Sequence, residues 1–304
     1  MNHLPFEALS AVLPVFLIAA VGYLAGRKMT LDVSTLSKIC LYILTPALTF
    51  NSLTTSEVDL GSVWLLALGA FLVPIALAPL FLWLFKLMGW EKRLSHSVLL
   101  PTIFSNTGNY GLPICLFALG QGGMDLGVIY MVVQTFVIAT LGVFIAASSQ
   151  MSVKDALGRV IRMPSLYAAV LGALVKVLDI GVPQVLARPI GLLSQAAIPV
   201  FLLVLGLQLL NSSPGGKWQI PVVASIFRLV LAPTLVAVFG KLLGLDGLAW
   251  KVLVLQAAMP PPVNSTILAQ EFDANPDVVS HTTLIATVIS LITVSGWILI
   301  LNYF

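Results

Sequence analysis

Apolar residues run along this chain in stretches of about the 20 residues that a helix needs to cross a bilayer. Short clusters of Gly, Pro and charged residues separate them. Cutting at those clusters predicts ten membrane-spanning helices, at roughly 6–26, 35–54, 60–88, 95–119, 124–148, 164–182, 189–210, 220–243, 248–270 and 277–301. The connections are too short for a soluble domain. The pattern therefore predicts an all-α polytopic membrane protein, with one transmembrane domain over residues 1–304.

Two of these stretches are interrupted in the middle. One carries Ser105-Asn106-Thr107-Gly108-Asn109-Tyr110-Gly111-Leu112-Pro113, the other Gln256-Ala257-Ala258-Met259-Pro260-Pro261-Pro262-Val263-Asn264-Ser265. Backbone that leaves the helix at membrane depth is tolerated only where it is buried in protein or lines a polar cavity. Two such breaks at matching places of two halves point to a transporter with its site at the bilayer midplane.

The halves do match weakly. Ala76-Leu77-Ala78-Pro79-Leu80 is similar to Val230-Leu231-Ala232-Pro233-Thr234, and Val137-Ile138-Ala139-Thr140 to Leu284-Ile285-Ala286-Thr287. Each half, about 1–150 and about 160–304, holds five predicted spans with the interruption in its fourth. An odd number of spans inserts the second half upside down, which predicts a 5+5 inverted repeat with two broken helices, spans four and nine, crossing near the centre.

Composition agrees with the membrane reading: 59% of the 304 residues are hydrophobic and 9% charged, with a mean hydropathy of +1.05. The first apolar stretch is long, lacks basic residues before it and is followed by Arg27 and Lys28, as in a retained helix rather than a signal peptide. One set of span ends holds Arg27, Lys28, Lys38, Lys86, Lys92, Arg93, Lys154, Arg159, Arg162 and Lys217; the other holds only Lys176, Arg188, Lys241 and Lys251. The positive-inside rule puts both termini outside and the segment from Lys154 to Arg162 in the cytoplasm. The net charge of +3 thus reflects topology, and no nucleic-acid partner is indicated. Cys40 and Cys115 lie within spans without metal-ligand spacing and read as small core residues, so neither a metal nor a cofactor is expected.

The candidate chemistry sits at the breaks. Gly108 and Gly111 permit backbone conformations closed to other residues, and Pro113, Pro260, Pro261 and Pro262 lack an amide hydrogen, so backbone groups are freed. Asn106, Thr107, Asn109, Gln256 and Asn264 add donors and acceptors that can bind a carboxylate or surround a small cation. The amides could equally satisfy the loosened backbone of a structural kink. Arg228 lies about 12 Å into its span at 1.5 Å per residue, where an ionisable side chain faces the protein interior. It either attracts an organic anion or pins helix-end carbonyls. Gln134 and Thr49 are weaker candidates, because single polar residues often serve interhelical packing. All twelve Asp and Glu fall in loops or near span ends, with Asp125, Asp179, Glu271 and Asp277 nearest a membrane boundary, so a midplane carboxylate relay is not expected. No nucleophile, base and orienter cluster points to an enzyme.

With these residues in view, the chain resembles the auxin efflux carrier family over nearly its whole length. The resemblance is carried by Asn106-Thr107 with Gly111-Leu112-Pro113, by Gln256-Ala257-Ala258-Met259-Pro260, and by Ala269-Gln270-Glu271-Phe272 leading into Pro276-Asp277-Val278-Val279-Ser280. Arg228 with Pro233, and Leu205-Gly206-Leu207, also fit. The resemblance implies a scaffold of spans one, two, six and seven beside a transport core that moves like an elevator. It also implies substrate at the crossover, a multi-pass protein of the plasma (inner) membrane, and a homodimer. It places Asn106 at the crossover asparagine, Thr49 at a small hydroxyl position of span two and Gln134 near the substrate. The long hydrophilic loop of many plant members is absent, span three carries no acid, and Pro260-Pro261-Pro262 departs from the plant pattern. A prokaryotic carrier of a small organic anion, such as malonate, malate or an auxin-like acid, is therefore expected. Two alternatives stand beside it: a sodium-coupled symporter of the related bile-acid type, and a membrane sensor or structural subunit that keeps the fold without transport.

Overall fold

Prolines shape this protein more than its turns do. In the computed structural model, which describes residues 4–146, 158, 163–210 and 218–304, the described residues form helices and no strand. Several prolines are nevertheless embedded within helices. Among the described residues, three of four π-helical turns, Cys40–Leu44, Thr107–Gly111 and Phe227–Leu231, end two residues before Pro46, Pro113 and Pro233. A proline has no N–H and its ring clashes with the carbonyl four residues back, so widening the preceding turn lets the helix continue.

Helix α1 is Leu4–Lys28. The second membrane segment runs through α2, Val33–Ile39, the π-turn and α3, Thr45–Thr55. Asp32 caps α2 by accepting from the Ser34 and Thr35 amides; the Thr35 hydroxyl first, then these amides, hold its carboxyl below the usual range. Then come α4, Leu60–Leu87, and α5, Lys92–Ile103. Helix α6, Leu112–Val137, reverses at Gly120, whose φ of 72° and ψ of −167° are open to glycine alone. The reversal is visible in Gly127, where a β-carbon would sit 3.1 Å from Leu112 and 3.4 Å from Cys115. The third π-turn, Ile138–Gly142, leads to α7, Val143–Ala146.

The remaining elements are α8, Pro164–Val177; α9, Gln184–Leu210; α10, Gln219–Ile226; and α11, Ala232–Leu242. They are followed by α12, Gly247–Ala257; α13, Asn264–Glu271; and α14, Pro276–Leu301. Among the described residues seven continuous helical segments are long and apolar enough to cross a membrane, and α8 and α12 are shorter apolar helices. The one that runs from Lys92 to Ala146 folds back at Gly120.

Two expected boundaries move. The stretch expected at 164–182 leaves the helix after Val177, because Asp179 turns the chain with a φ of 50°. The stretch expected from Pro189 starts at Gln184, where the Arg188 guanidinium donates to the Gln184 side-chain carbonyl at 3.2 Å across one turn. The expected cytoplasmic segment from Lys154 to Arg162, with Lys217, lies outside the described residues apart from Gly158.

Two groups of helices emerge from the packing. Helices α1, α3, α8 and α9 lie on one another. The α1–α9 seam is a backbone contact, since a β-carbon on Gly206 would fall 1.8 Å from the Ala19 carbonyl oxygen and one on Gly22 2.3 Å from that of Leu203. Small residues at such a seam let helices associate in lipid, where no hydrophobic driving force separates protein from solvent. The second group gathers α4, α5, α6 and α10 to α14 around the interrupted segments.

Candidate functional site

The two interruptions touch. Helix α5 ends at Ile103, and Phe104 turns extended with φ −99° and ψ 138°. Helix α12 ends at Ala257, and residues 258–263 run without helix to α13. Between them the Asn106 amide donates to the Pro260 carbonyl at 2.7 Å. Two more of the freed amides find partners nearby, as buried backbone favours. The Gly111 amide donates to the Asn106 carbonyl at 2.9 Å and the Thr107 amide to that of Ser105 at 2.9 Å. The three prolines expose no amide, so this stretch presents only acceptors.

Gln134 is a keeper of the first break. Its amide nitrogen donates to the Ser105 carbonyl at 2.6 Å, and its side-chain oxygen accepts from the Ser105 hydroxyl at 3.0 Å. Gln256 reaches across from the second break, with a long 3.5 Å bond from its nitrogen to the Thr107 carbonyl, while its buried oxygen has no partner. That oxygen would lie 2.1 Å from a β-carbon at position 111, which is why Gly111 is a glycine.

Arg228 joins the two breaks from behind. It is 1% exposed and donates to the Thr102 carbonyl at 3.2 Å and to the Ala257 carbonyl. These carbonyls end α5 and α12, where a helix leaves its last acceptors unpaired and carries partial negative charge. Its Nε has no partner. The guanidinium thus does what the helix ends demand of a cation.

A cavity of about 170 Å³ lies against the breaks. Of the expected residues, Asn106, Thr107, Gly108, Asn109 and Pro262 line it. Gly108 and Asn109 fall in a first helical turn, where amide groups lack intrahelical acceptors. Arg228, Gln134, Gln256 and Thr49 stand outside the lining, and Thr49 is buried in α3 with its hydroxyl oxygen unpartnered. The backbone of Asn264 opens α13, but its side chain lies outside the described residues. On the near side stands Ser105, which opens the first interruption; Ser37, Thr45, Ser165 and Gln208 across the cavity, and Thr135 beside it, were not anticipated. Their only signal is a lone polar residue within an apolar helix. Among the described residues no charged side chain lines the cavity.

An adjoining chamber shares Ser37, Leu41, Gln208 and Val263 with the cavity and continues to Lys38 and Gln270. It leads to the end of the bundle that carries the basic residues from Arg27 to Arg93. At the opposite end Asp125, 5% exposed, ties α6 to the other helix group. The Ser52 hydroxyl donates to its carboxylate at 2.5 Å and the Gln121 amide at 2.9 Å, while the Lys176 ammonium donates to the neighbouring Ser56 carbonyl. Sequence reasoning placed Asp125 near a membrane boundary but gave it no partner. Among the described residues no group of three His, Cys, Asp or Glu is placed to hold a metal ion.

Comparison with known proteins supplies what geometry alone does not. A profile of membrane transport proteins, Mem_trans, matches residues 7–298. An uncharacterized transporter of Methanothermobacter thermautotrophicus is 27% identical over 300 residues, 95% of this chain and 97% of that protein. Another from Methanocaldococcus jannaschii is 25% identical over 312 residues, 96% of this chain and 99% of that protein. Auxin efflux carrier component 1 of Arabidopsis thaliana is 28% identical over 151 residues, 47% of this chain and 24% of its own length. With a family match across almost its full length and helices fit for repeated membrane crossing, the chain is a multi-pass membrane transporter and not an enzyme, and it belongs to the Mem_trans family of membrane transport proteins.

Proposed function

We propose that this protein is a secondary carrier of a small organic anion, working by alternating access with the substrate held where the two broken helices meet. The observation that carries the reading is the Asn106–Pro260 bond beside a cavity of neutral donors and first-turn amides. Partial positive charge at a helix N-terminus favours an anion. A carboxylate such as malonate or malate, or an auxin-like acid, suits Asn106, Thr107 and Asn109. The plant relatives, auxin efflux carriers by name, fit that class.

On this reading the reversal at Gly120 and the short helices bring the membrane passes to ten, arranged as a 5+5 inverted repeat about one domain, with spans four and nine crossing. The group of α1, α3, α8 and α9 is the scaffold, and the group around the breaks moves against it as an elevator. Both termini lie outside and the basic end faces the cytoplasm of a plasma membrane, so the cavity communicates with the cytoplasm. Arg228, Gln134 and Gln256 hold the breaks in shape, and Asn106, Thr107 and Asn109 touch the substrate.

Asn106→Ala keeps the backbone bond to Pro260 but removes the side-chain amide from the cavity. The variant is expected to fold with the parent's thermal stability and to lose at least about tenfold in the uptake of labelled malonate, or whichever carboxylate the parent carries, into proteoliposomes, the effect of one buried hydrogen bond to a charged group. Equal uptake by parent and variant would remove Asn106 from the site.

A further inference from the structure

The largest of the described cavities lies away from the breaks. A slot of about 630 Å³ opens at the basic end between α4, α5 and α7. Its walls carry Lys92, Arg93 and His96, and among the described residues no carboxylate lines it. The Arg93 guanidinium is already engaged, donating at 2.7 Å to the Asp273 carboxylate and at 2.9 Å to its carbonyl. Lys92 and His96 have no hydrogen-bond or ion-pair partner among the described residues.

The order of chemistry along α5 is the informative part. Lys92, His96 and Leu99 are four and three residues apart, so they share one face of the helix. At 1.5 Å per residue they stand at depths of about 0, 6 and 10 Å from the helix start. A cation at the membrane surface, a polar ring one turn deeper and an alkyl group beyond form the profile that a phospholipid presents from phosphate to acyl chain. The opposite wall continues the apolar part with Leu82, Ile145 and Phe144, and Phe144 is 55% exposed on the outer surface of the bundle. Such a slot is open to lipid from the side.

We infer that this slot binds an anionic phospholipid, with its phosphoryl headgroup on Lys92 and His96 and an acyl chain over Leu82 and Phe144. A basic residue near the membrane surface attracts anionic lipid, and a pocket between helices adds shape to that attraction. This inference needs only the protein's place in a membrane and not the carrier mechanism proposed above.

The test uses the full chain, purified in detergent, with thermal unfolding read against added phosphatidylglycerol, phosphatidylcholine of the same acyl chains, and inorganic phosphate. Phosphatidylglycerol is expected to raise the midpoint, and the other two are not. Lys92→Gln is expected to weaken the phosphatidylglycerol response roughly fivefold in apparent affinity, and Lys92→Gln with His96→Gln by more, with the lipid-free midpoint unchanged. Lys92 is exposed, so the single variant remains informative if the double one folds poorly. A full response in Lys92→Gln, or an equal response to phosphatidylcholine, overturns the site. An equal response to inorganic phosphate overturns the lipid as occupant and leaves a free-anion site.

Discussion

Replacing Arg228 by Met is expected to cost on the order of 3 kcal/mol of stability as well as all transport, because two buried helix-end carbonyls lose charged donors at once. Thr102 and Ala257 lie in the last turns of α5 and α12, and no other donor to either carbonyl is found beyond its own helix among the described residues. Arg228→Lys keeps the charge, but one ammonium lacks the planar fork that spans two carbonyls. It should recover a minority of the lost stability. Thermal unfolding of the purified variants decides the matter: a parent-like midpoint in Arg228→Met with lost uptake would mean that the guanidinium serves the anion and not the helix ends.

The next largest effect is expected at the α1–α9 seam. A β-carbon at position 206 would stand 1.8 Å from the Ala19 carbonyl oxygen and 2.7 Å from the Tyr23 amide nitrogen, both backbone atoms that cannot rotate away. Gly206→Ala must therefore push two helices apart, at the upper end of or above the roughly 1–3 kcal/mol that overpacking costs. Gly22→Ala, at 2.3 Å from the Leu203 carbonyl oxygen, should follow. Gly26→Ala should be milder, since the atom it meets at 2.5 Å belongs to the Leu207 side chain. Gly296 meets nothing within 4 Å, and its alanine variant should match or slightly exceed the parent. Folded yield and unfolding midpoint across the four variants give the order, and an indifferent Gly206→Ala would show that the seam is looser than described.

What could be read from the chain followed the physics of each signal. The breaks were legible because Gly108, Gly111 and the prolines from Pro260 to Pro262 change the backbone itself, wherever the rest of the chain lies. Helix ends such as Leu87 and Leu301 were legible from the apolar runs that stop there. Arg228 announced its burial, since a charge at that depth must face protein, yet its two roles could not be separated until the carbonyls of Thr102 and Ala257 stood beside it. Ser37, Thr45 and Gln208 were silent, because a single hydroxyl or amide in an apolar helix looks the same whether it faces a cavity or a neighbour. Asp125 was misjudged in consequence: its partners Ser52 and Gln121 come from α3 and from the turn after Gly120, and only folding brings them together.

Arg228 has one more consequence, electrical in kind. It is bonded to both broken helices, so in the cycle proposed above it rides with them and takes a fixed positive charge through the membrane field in each direction. A bound monoanion such as an auxin-like acid offsets that charge on the loaded stroke, which then passes nearly neutral, whereas a dianion such as malonate leaves one negative charge on it. The empty stroke carries the charge uncompensated, at about 2.3 kcal/mol per charge per 100 mV for a full crossing. With a monoanionic cargo, voltage would thus govern the reset of the vacant carrier rather than the delivery of its cargo, and a transient displacement current without substrate would be its trace.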